Sequence, residues 1–175
     1  MERIPLKNND FVCDIGCGDG RIILRWAVLL SETLAAAKGD DDREEGEINI
    51  SFMGIDIEPN RVEEAKRKAE HLKSEGRILP EIEITFVCKN AMESAEYFQD
   101  ATVIFMYLIP RGLKTIYPLI MEQRKKNLKK RRELQVVSYM SKLPVLTPEG
   151  RALCKVEHQK EAAWPLYFYL IKKDE

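Results

Sequence analysis

Residues 11–20 read FVCDIGCGDG, and this stretch decides the fold of the chain. The apolar run from Phe11 to Ile15 predicts a short buried strand, and residues 20–37 carry the pattern of a largely buried helix. Three glycines lie where the strand gives way to the helix. Glycine is needed where the backbone adopts a positive φ or approaches a ligand closely. The stretch therefore predicts a strand, a tight turn and a helix, with an ordinary turn without a ligand as the alternative.

The glycines of this turn, from Gly16 through Gly18 to Gly20, have the spacing G-x-G-x-G. The dinucleotide fingerprint is G-x-G-x-x-G, and its third glycine position is Arg21 here. Two carboxylates flank the turn and would repel a pyrophosphate at the helix N-terminus. S-adenosylmethionine has no phosphate and carries an ammonium and a sulfonium group. We therefore predict this cofactor, held by Asp14, Gly16, Cys17, Gly18, Asp19 and Gly20.

A second acid follows the second predicted strand, Ile50 to Ile57, in the segment GIDIEP of residues 54–59. A carboxylate at the end of that strand can accept hydrogen bonds from both ribose hydroxyls of a nucleoside. Asp56 is the candidate, with Ile57 beside it at the cofactor and Glu58 as a weaker second acid. The alternative is that Asp56 only caps the following helix.

A third cofactor contact is predicted after the strand from Glu83 to Cys88. Asn90 could bond the adenine amino group, and Ala91 offers backbone and apolar contact to the ring. An N-cap role for Asn90 is the equally weighted alternative.

The remaining chain alternates strands with helical patterns, which predicts an α/β fold with a doubly wound sheet. Pro59 opens a second helix, Ala101 to Leu108 is a fourth strand, residues 111–127 are helical, and Leu134 to Tyr139 is a fifth strand. Ala152 to His158 and Leu166 to Lys172 should pair as an antiparallel hairpin with Trp164 and Pro165 in its turn. Five strand–helix units and the hairpin give seven strands in one domain, residues 1–175.

Composition and charge narrow the class of protein. Apolar residues make up 45% of the chain and the net charge is -1, so the totals favour no particular partner. No apolar run is long enough for a membrane span. Cys13 and Cys88 lie in apolar runs and are predicted to be buried thiols of an intracellular protein. Cys13 and Cys17 have no histidine near them, so we predict no metal site.

Two charged segments fall outside the plan of the sheet. Residues 38–47 are acidic and are predicted to be a mobile insert. Residues 124–132 are basic at seven of nine positions, which fits either a solvated helix end or contact with nucleic acid or an anionic membrane surface.

These motifs resemble the class I, seven-strand methyltransferases throughout the chain. Within that superfamily the sequence is similar to small prokaryotic relatives of the mitochondrial protein-lysine methyltransferases, through residues 14–22, 54–59, 101–110, 136–138 and 166–170. The resemblance implies a protein lysine as acceptor, and a cytoplasmic or mitochondrial location. The chain departs from it in the acidic insert, and it lacks the segment that such relatives carry ahead of the first strand.

Tyr107, at the mouth of the fourth strand, is the candidate to orient the acceptor, with a packed aromatic as the alternative. The stretch MYLIP of residues 106–110 replaces the Asn/Asp-Pro-Pro-Tyr sequence of enzymes that methylate exocyclic or amide nitrogens. This replacement disfavours methyl transfer to an exocyclic or amide nitrogen. We predict methyl transfer to a nitrogen, by resemblance that of lysine. The alternatives are an RNA or small-molecule methyltransferase and a non-catalytic cofactor-binding subunit.

Overall fold

The computed structural model describes residues 4–37, 49–126, 132–156 and 159–172. The acidic segment 38–47, residues 127–131 of the basic run and the turn of the last hairpin lie outside this part of the chain. Predictions that concern those residues stay predictions.

Seven strands form one sheet in the order β3-β2-β1-β4-β5-β7-β6. The strands are β1 (Phe11–Ile15), β2 (Ser51–Asp56), β3 (Glu83–Cys88), β4 (Val103–Met106), β5 (Leu134–Tyr139), β6 (Gly150–Val156) and β7 (Gln159–Ile171). The first five are parallel, whereas β7 runs antiparallel to both of its neighbours. This confirms the predicted α/β fold with a doubly wound, mostly parallel sheet.

Helices cover both faces of the sheet. They are α1 (Arg21–Ala37), α2 (Pro59–Ser74) and α3 (Pro110–Lys126), with Pro59 in the first turn of α2 as expected. One buried cluster contains Trp26 and Val28 of α1 with Phe52 of β2. The other contains Leu113 and Ile116 of α3. The chain is therefore layered as helix, sheet and helix, because parallel strands need cover on both faces.

The prediction of a helix after each parallel strand is wrong at two places. Two 3₁₀ helices, Ala91–Glu93 and Ala95–Tyr97, follow β3, and the described chain after β5 runs into β6 without a helix. Pro144 and Pro148 interrupt any helical run after β5, and the segment after β3 forms only 3₁₀ turns. Among the described residues, no helix is long and apolar enough to cross a membrane.

Two further details differ from the sequence prediction. Trp164 and Pro165 do not lie in the hairpin turn, because β7 is longer than expected and pairs them with Cys154 and Leu153 of β6. Cys13 is buried as predicted, but Cys88 is exposed. Cys88 ends the edge strand β3, where no strand covers its outer side.

Candidate functional site

The predicted cofactor residues meet at one edge of the sheet. Asp14 of β1 lies beside Gly54 of β2 and Phe105 of β4, so the carboxyl ends of three parallel strands adjoin there. The connection from β1 leads to β2 on one side, while β4 lies on the other. Such a reversal of strand order opens a crevice at the carboxyl ends, where ligands of open α/β sheets bind.

The turn after β1 depends on its glycines. Gly16, Gly18 and Gly20 have φ values of +82°, +54° and +74°, a region that L side chains rarely adopt. The backbone N–H groups of Gly16 and Cys17 both donate to the carbonyl of Ile55 in β2, at 2.8 and 3.1 Å. The turn is thereby fixed to the neighbouring strand.

The ring of Phe86 leaves space only for glycine at positions 20 and 54. Sequence reasoning did not connect this ring with the turn. A Cβ on Gly20 would stand 2.6 Å from Cζ of Phe86, and a Cβ on Gly54 would stand 2.4 Å from its Cδ1. Phe86 of β3 thus packs against both β2 and the start of α1. No local pattern signals this contact, since the three residues are far apart in the chain.

Asp14 is buried, with 2% of its surface exposed. Its Oδ1 atom has no hydrogen-bond partner among the described residues. Burial, with a smaller contribution from the charge of Asp56, raises the pKa of this carboxyl group to about 8. The free protein therefore holds an unsatisfied acid beside the glycine turn, which a hydrogen-bond donor or cation would stabilise.

Asp56 links the end of β2 to the glycine turn. Its Oδ2 accepts from the N–H of Gly18 at 2.7 Å, and its Oδ1 accepts from the N–H of Glu58 at 2.9 Å. The N-cap residue of α2 is Glu58, which makes no side-chain capping bond. Asp56 is therefore not the N-cap of α2, and each oxygen keeps a lone pair for a further donor.

Asp19, which was predicted to flank the turn, forms ion pairs with two cations. Its oxygens accept from Nε of Arg21 at 2.8 Å and from Nζ of Lys68 at 2.7 Å. The hydrogen bond from Arg21, aided by that from Lys68, lowers the pKa of Asp19 well below its usual range. Its charge is thus neutralised by cations of α1 and α2. The repulsion of a pyrophosphate by Asp14 and Asp19 stays a prediction, and the pairing of Asp19 with two cations weakens its share of that repulsion.

Asn90 is the N-cap of the 3₁₀ helix after β3, which is the alternative that its sequence position allows. Its Oδ1 accepts from the N–H of Met92 at 3.1 Å, and its Nδ2 donates to Glu93 at 2.9 Å. Ala91 follows it in the 3₁₀ helix and is half-buried. Ile57, next to Asp56, is 68% exposed, a large apolar side chain available to a ligand at this edge. Contacts of these residues with adenine stay a prediction.

Tyr107 follows β4 and is 55% exposed, so it is not simply a packed core aromatic. Its ring meets that of Tyr139 edge to face, with centroids 5.0 Å apart and planes at 67°. The sequence did not single out Tyr139, although its place at the end of the strand beside β4 was a usable signal.

The sequence also did not single out Arg61 of α2. Its Nη1 atom lies 3.3 Å from the point where a Cβ on Gly18 would stand.

The basic run contributes less to any nucleic-acid surface than its composition suggests. Arg124 is buried and donates to the carbonyls of Arg132, Ile171 and Lys172. Arg132 in turn donates to the carbonyl of Asn9 at 2.6 Å. The two ends of the run therefore hold parts of the chain together.

Comparison with known proteins identifies a family and a shared fold. A family model described as a methyltransferase domain matches residues 6–164. An RNA methyltransferase from Salinibacter ruber, solved with S-adenosyl-L-homocysteine, is 22% identical with a TM-score of 0.61, and the match covers 93% of this chain and 81% of that one. No curated protein matches the chain.

Two further solved structures share the fold. A conserved hypothetical protein from Streptococcus pyogenes is 16% identical, with a TM-score of 0.56 over 99% of this chain and 93% of that one. TrmN from Thermus thermophilus is 16% identical, with a TM-score of 0.54 over 94% of this chain and 44% of that one.

Proposed function

Since the chain belongs to the methyltransferase-domain family and has S-adenosylmethionine as its cofactor, we propose that it methylates a nitrogen atom, that of a lysine side chain in a protein. The observation that carries the proposal is the buried, unsatisfied oxygen of Asp14 at a glycine turn that Asp56 closes. The lysine acceptor rests on the sequence resemblance.

The donor set at the turn fits this cofactor. Asp14 can receive a hydrogen bond from an ammonium group, and Asp56 has one free lone pair on each oxygen for ribose hydroxyls. Gly16 and Gly18 carry no side chain that would compete with a ligand at this turn. Ile57, Asn90 and Ala91 are the residues we assign to the adenine side.

The cofactor, when bound, supplies a methyl group already activated by a positively charged sulfur. The tasks left to the protein are to align the acceptor with that carbon and to exclude water. No side-chain nucleophile is required. Tyr107, exposed at the carboxyl end of β4, is the residue we assign to orienting the acceptor nitrogen through its hydroxyl group.

An RNA acceptor is the second candidate, favoured by the likeness of fold to the Salinibacter ruber RNA methyltransferase. The two candidates share the cofactor site and differ only in what reaches the mouth beside Tyr107. The first experiment therefore tests the cofactor site by itself.

Titration calorimetry with S-adenosylmethionine, S-adenosylhomocysteine and NAD tests the cofactor assignment. We expect the first two to bind and NAD not to bind. Asp56→Asn removes the charge that receives the ribose, so it should weaken binding about tenfold to a hundredfold. Glu63→Gln, the same change on an exposed acid of α2, is the control and should leave affinity unchanged. Binding of NAD, or of none of the three, would contradict the assignment.

Methyl-labelled cofactor and a cell lysate then separate the acceptors. Label that protease removes and nuclease does not, recovered as methyl-lysine after hydrolysis, supports the proposal. Label removed by nuclease supports the RNA candidate instead. Tight cofactor binding with no transfer of label would mean a non-catalytic binding subunit.

A further inference from the structure

The strand β5 ends in a strained turn at the acceptor side of the sheet. Met140 has a φ of +68°, which is uncommon for a residue with a side chain. The carbonyl of Tyr139 accepts from the N–H of Ser141 at 2.9 Å, across Met140. A bond from residue i to i+2 around a positive φ is the γ-turn of the rare, strained kind.

Further hydrogen bonds hold this turn in place. The N–H of Met140 donates to the carbonyl of Pro165 in β7 at 2.8 Å, and the hydroxyl of Ser138 donates to the carbonyl of Ser141. A residue kept in such a conformation destabilises the folded chain, and strain of this kind clusters at functional sites. The cost is tolerated because these bonds fix the chain on both sides of Met140.

The turn fixes the backbone at the end of β5, directly after Tyr139. Met106 of β4 pairs with Ser138 of β5, so Tyr107 and Tyr139 are the next residues along the two neighbouring strands. Their edge-to-face contact follows from this register. The carbonyl of Tyr107 in turn lies 3.5 Å from the point where a Cβ on Gly16 would stand. Tyr107 therefore borders the glycine turn, and Tyr139 packs against the ring of Tyr107.

The residues that form this entrance carry no formal charge themselves. Neither residues 107–110 nor residues 139–141 include an acid or a base other than the two phenols. Burial raises the pKa of Tyr139, so its hydroxyl is neutral at physiological pH. The nearest basic residues along the chain are Arg111 and Lys142, which follow the two segments directly. At the two rings themselves an amine is favoured over a phosphate, since the faces of aromatic rings attract an ammonium group.

We propose that Tyr139, held by the strained turn at Met140, is an acceptor-positioning residue that forms with Tyr107 an aromatic entrance for a lysine amine. This inference rests on the proposed function and deepens it. Tyr139 acts through the placement of its ring, and the turn at Met140 sets that placement.

Label transfer to the protein fraction of the lysate, measured with four variants, tests the inference. Tyr139→Ala should lower the initial rate about tenfold to a hundredfold, because misplaced reactants react slowly, with the dissociation constant of S-adenosylmethionine unchanged. Tyr139→Phe keeps the ring and should stay close to the unchanged protein. Met140→Gly adopts the positive φ without strain, so it should keep the rate and raise Tm. Met140→Val cannot adopt that φ readily and should lose rate as Tyr139→Ala does.

Tyr97→Phe, in the 3₁₀ helix on the other side of the sheet, is the matched control and should change nothing. Equal rates for Tyr139→Ala and the unchanged protein would overturn the inference while leaving the proposed function in place. Loss of rate in Met140→Gly would overturn the role of the turn, since the side chain of Met140 would then be what matters. Label found only in RNA would overturn the amine entrance. No label from the unchanged protein would contradict the proposed function and this inference with it.

Discussion

The burial of Asp14, which we assign to ligand binding, lowers the stability of the folded protein. Its carboxyl group has a pKa of about 8 in the free folded protein, against an ordinary value of 3.8. The folded state therefore keeps a proton that the unfolded state has lost between these two pH values. By linkage, the free energy of unfolding falls as pH rises from about 4 to about 8, and it levels off above that range.

Asp14→Asn should change stability and cofactor affinity in opposite directions. An amide has no charge to bury, so we expect the variant to have a higher Tm than the unchanged protein at pH 8 and a smaller difference in Tm at pH 5. It should bind S-adenosylmethionine more weakly, because its amide oxygen carries no negative charge to attract an ammonium group. Scanning calorimetry at the two pH values and a binding titration check both parts. A lower Tm at pH 8 would contradict the raised pKa.

Between elements, the contact of Phe86 with two glycines sets how closely β2, β3 and α1 approach one another. The ring lies 5% exposed, inside the cluster that contains Phe52 and Val62. Asp56 ends β2 only two residues after Gly54. A displacement of Gly54 would therefore be transmitted to the carboxylate that closes the glycine turn.

Gly54→Ala should destabilise the protein by about 1–3 kcal/mol, because its Cβ has no space beside Phe86. Affinity for S-adenosylmethionine should fall as well. Addition of Phe86→Leu should recover part of the loss, since the two positions are coupled through one contact. Gly112→Ala, at an unstrained position of α3 with its nearest atom at 3.4 Å, is the control and should be neutral or stabilising by about 0.5–1 kcal/mol. Equal effects of the two glycine substitutions on urea midpoints would contradict the steric account.

Across the whole molecule, Arg124 joins elements that are distant in the chain. It lies on α3 with 7% of its surface exposed, and its guanidinium group donates to the end of β7 and to the segment ahead of β5. A buried guanidinium group has to be satisfied by such acceptors. The C-terminal strand is thereby tied to the helix layer beneath it.

Arg124→Ala should lower the free energy of unfolding by about 2 kcal/mol or more, since it leaves buried carbonyl groups without their charged donor. Lys125→Ala, the exposed neighbour in the same basic run, should change it by less than about 0.5 kcal/mol. Denaturant unfolding measures both. If Arg124 served mainly to bind nucleic acid, the two variants would have similar stability and differ in affinity for RNA.

The sequence by itself determined the alternation of strands and helices and the place of the glycine turn. Some features act only on neighbouring residues, so the sequence alone shows them. They are the glycines at positive φ, the alternating apolar strands and Pro59 at a helix start. The prediction of a helix after β3 was wrong, because local composition does not determine how long the helix between two strands will be.

Only the tertiary structure decided the state of the groups at the site. Lys68 pairs with Asp19 although 49 positions separate them, and burial raises the pKa of Asp14. The pairing of Tyr107 with Tyr139 likewise depends on the register of two strands. A pKa and a ring contact are set by neighbours in space, and the sheet brings those neighbours together from distant parts of the chain.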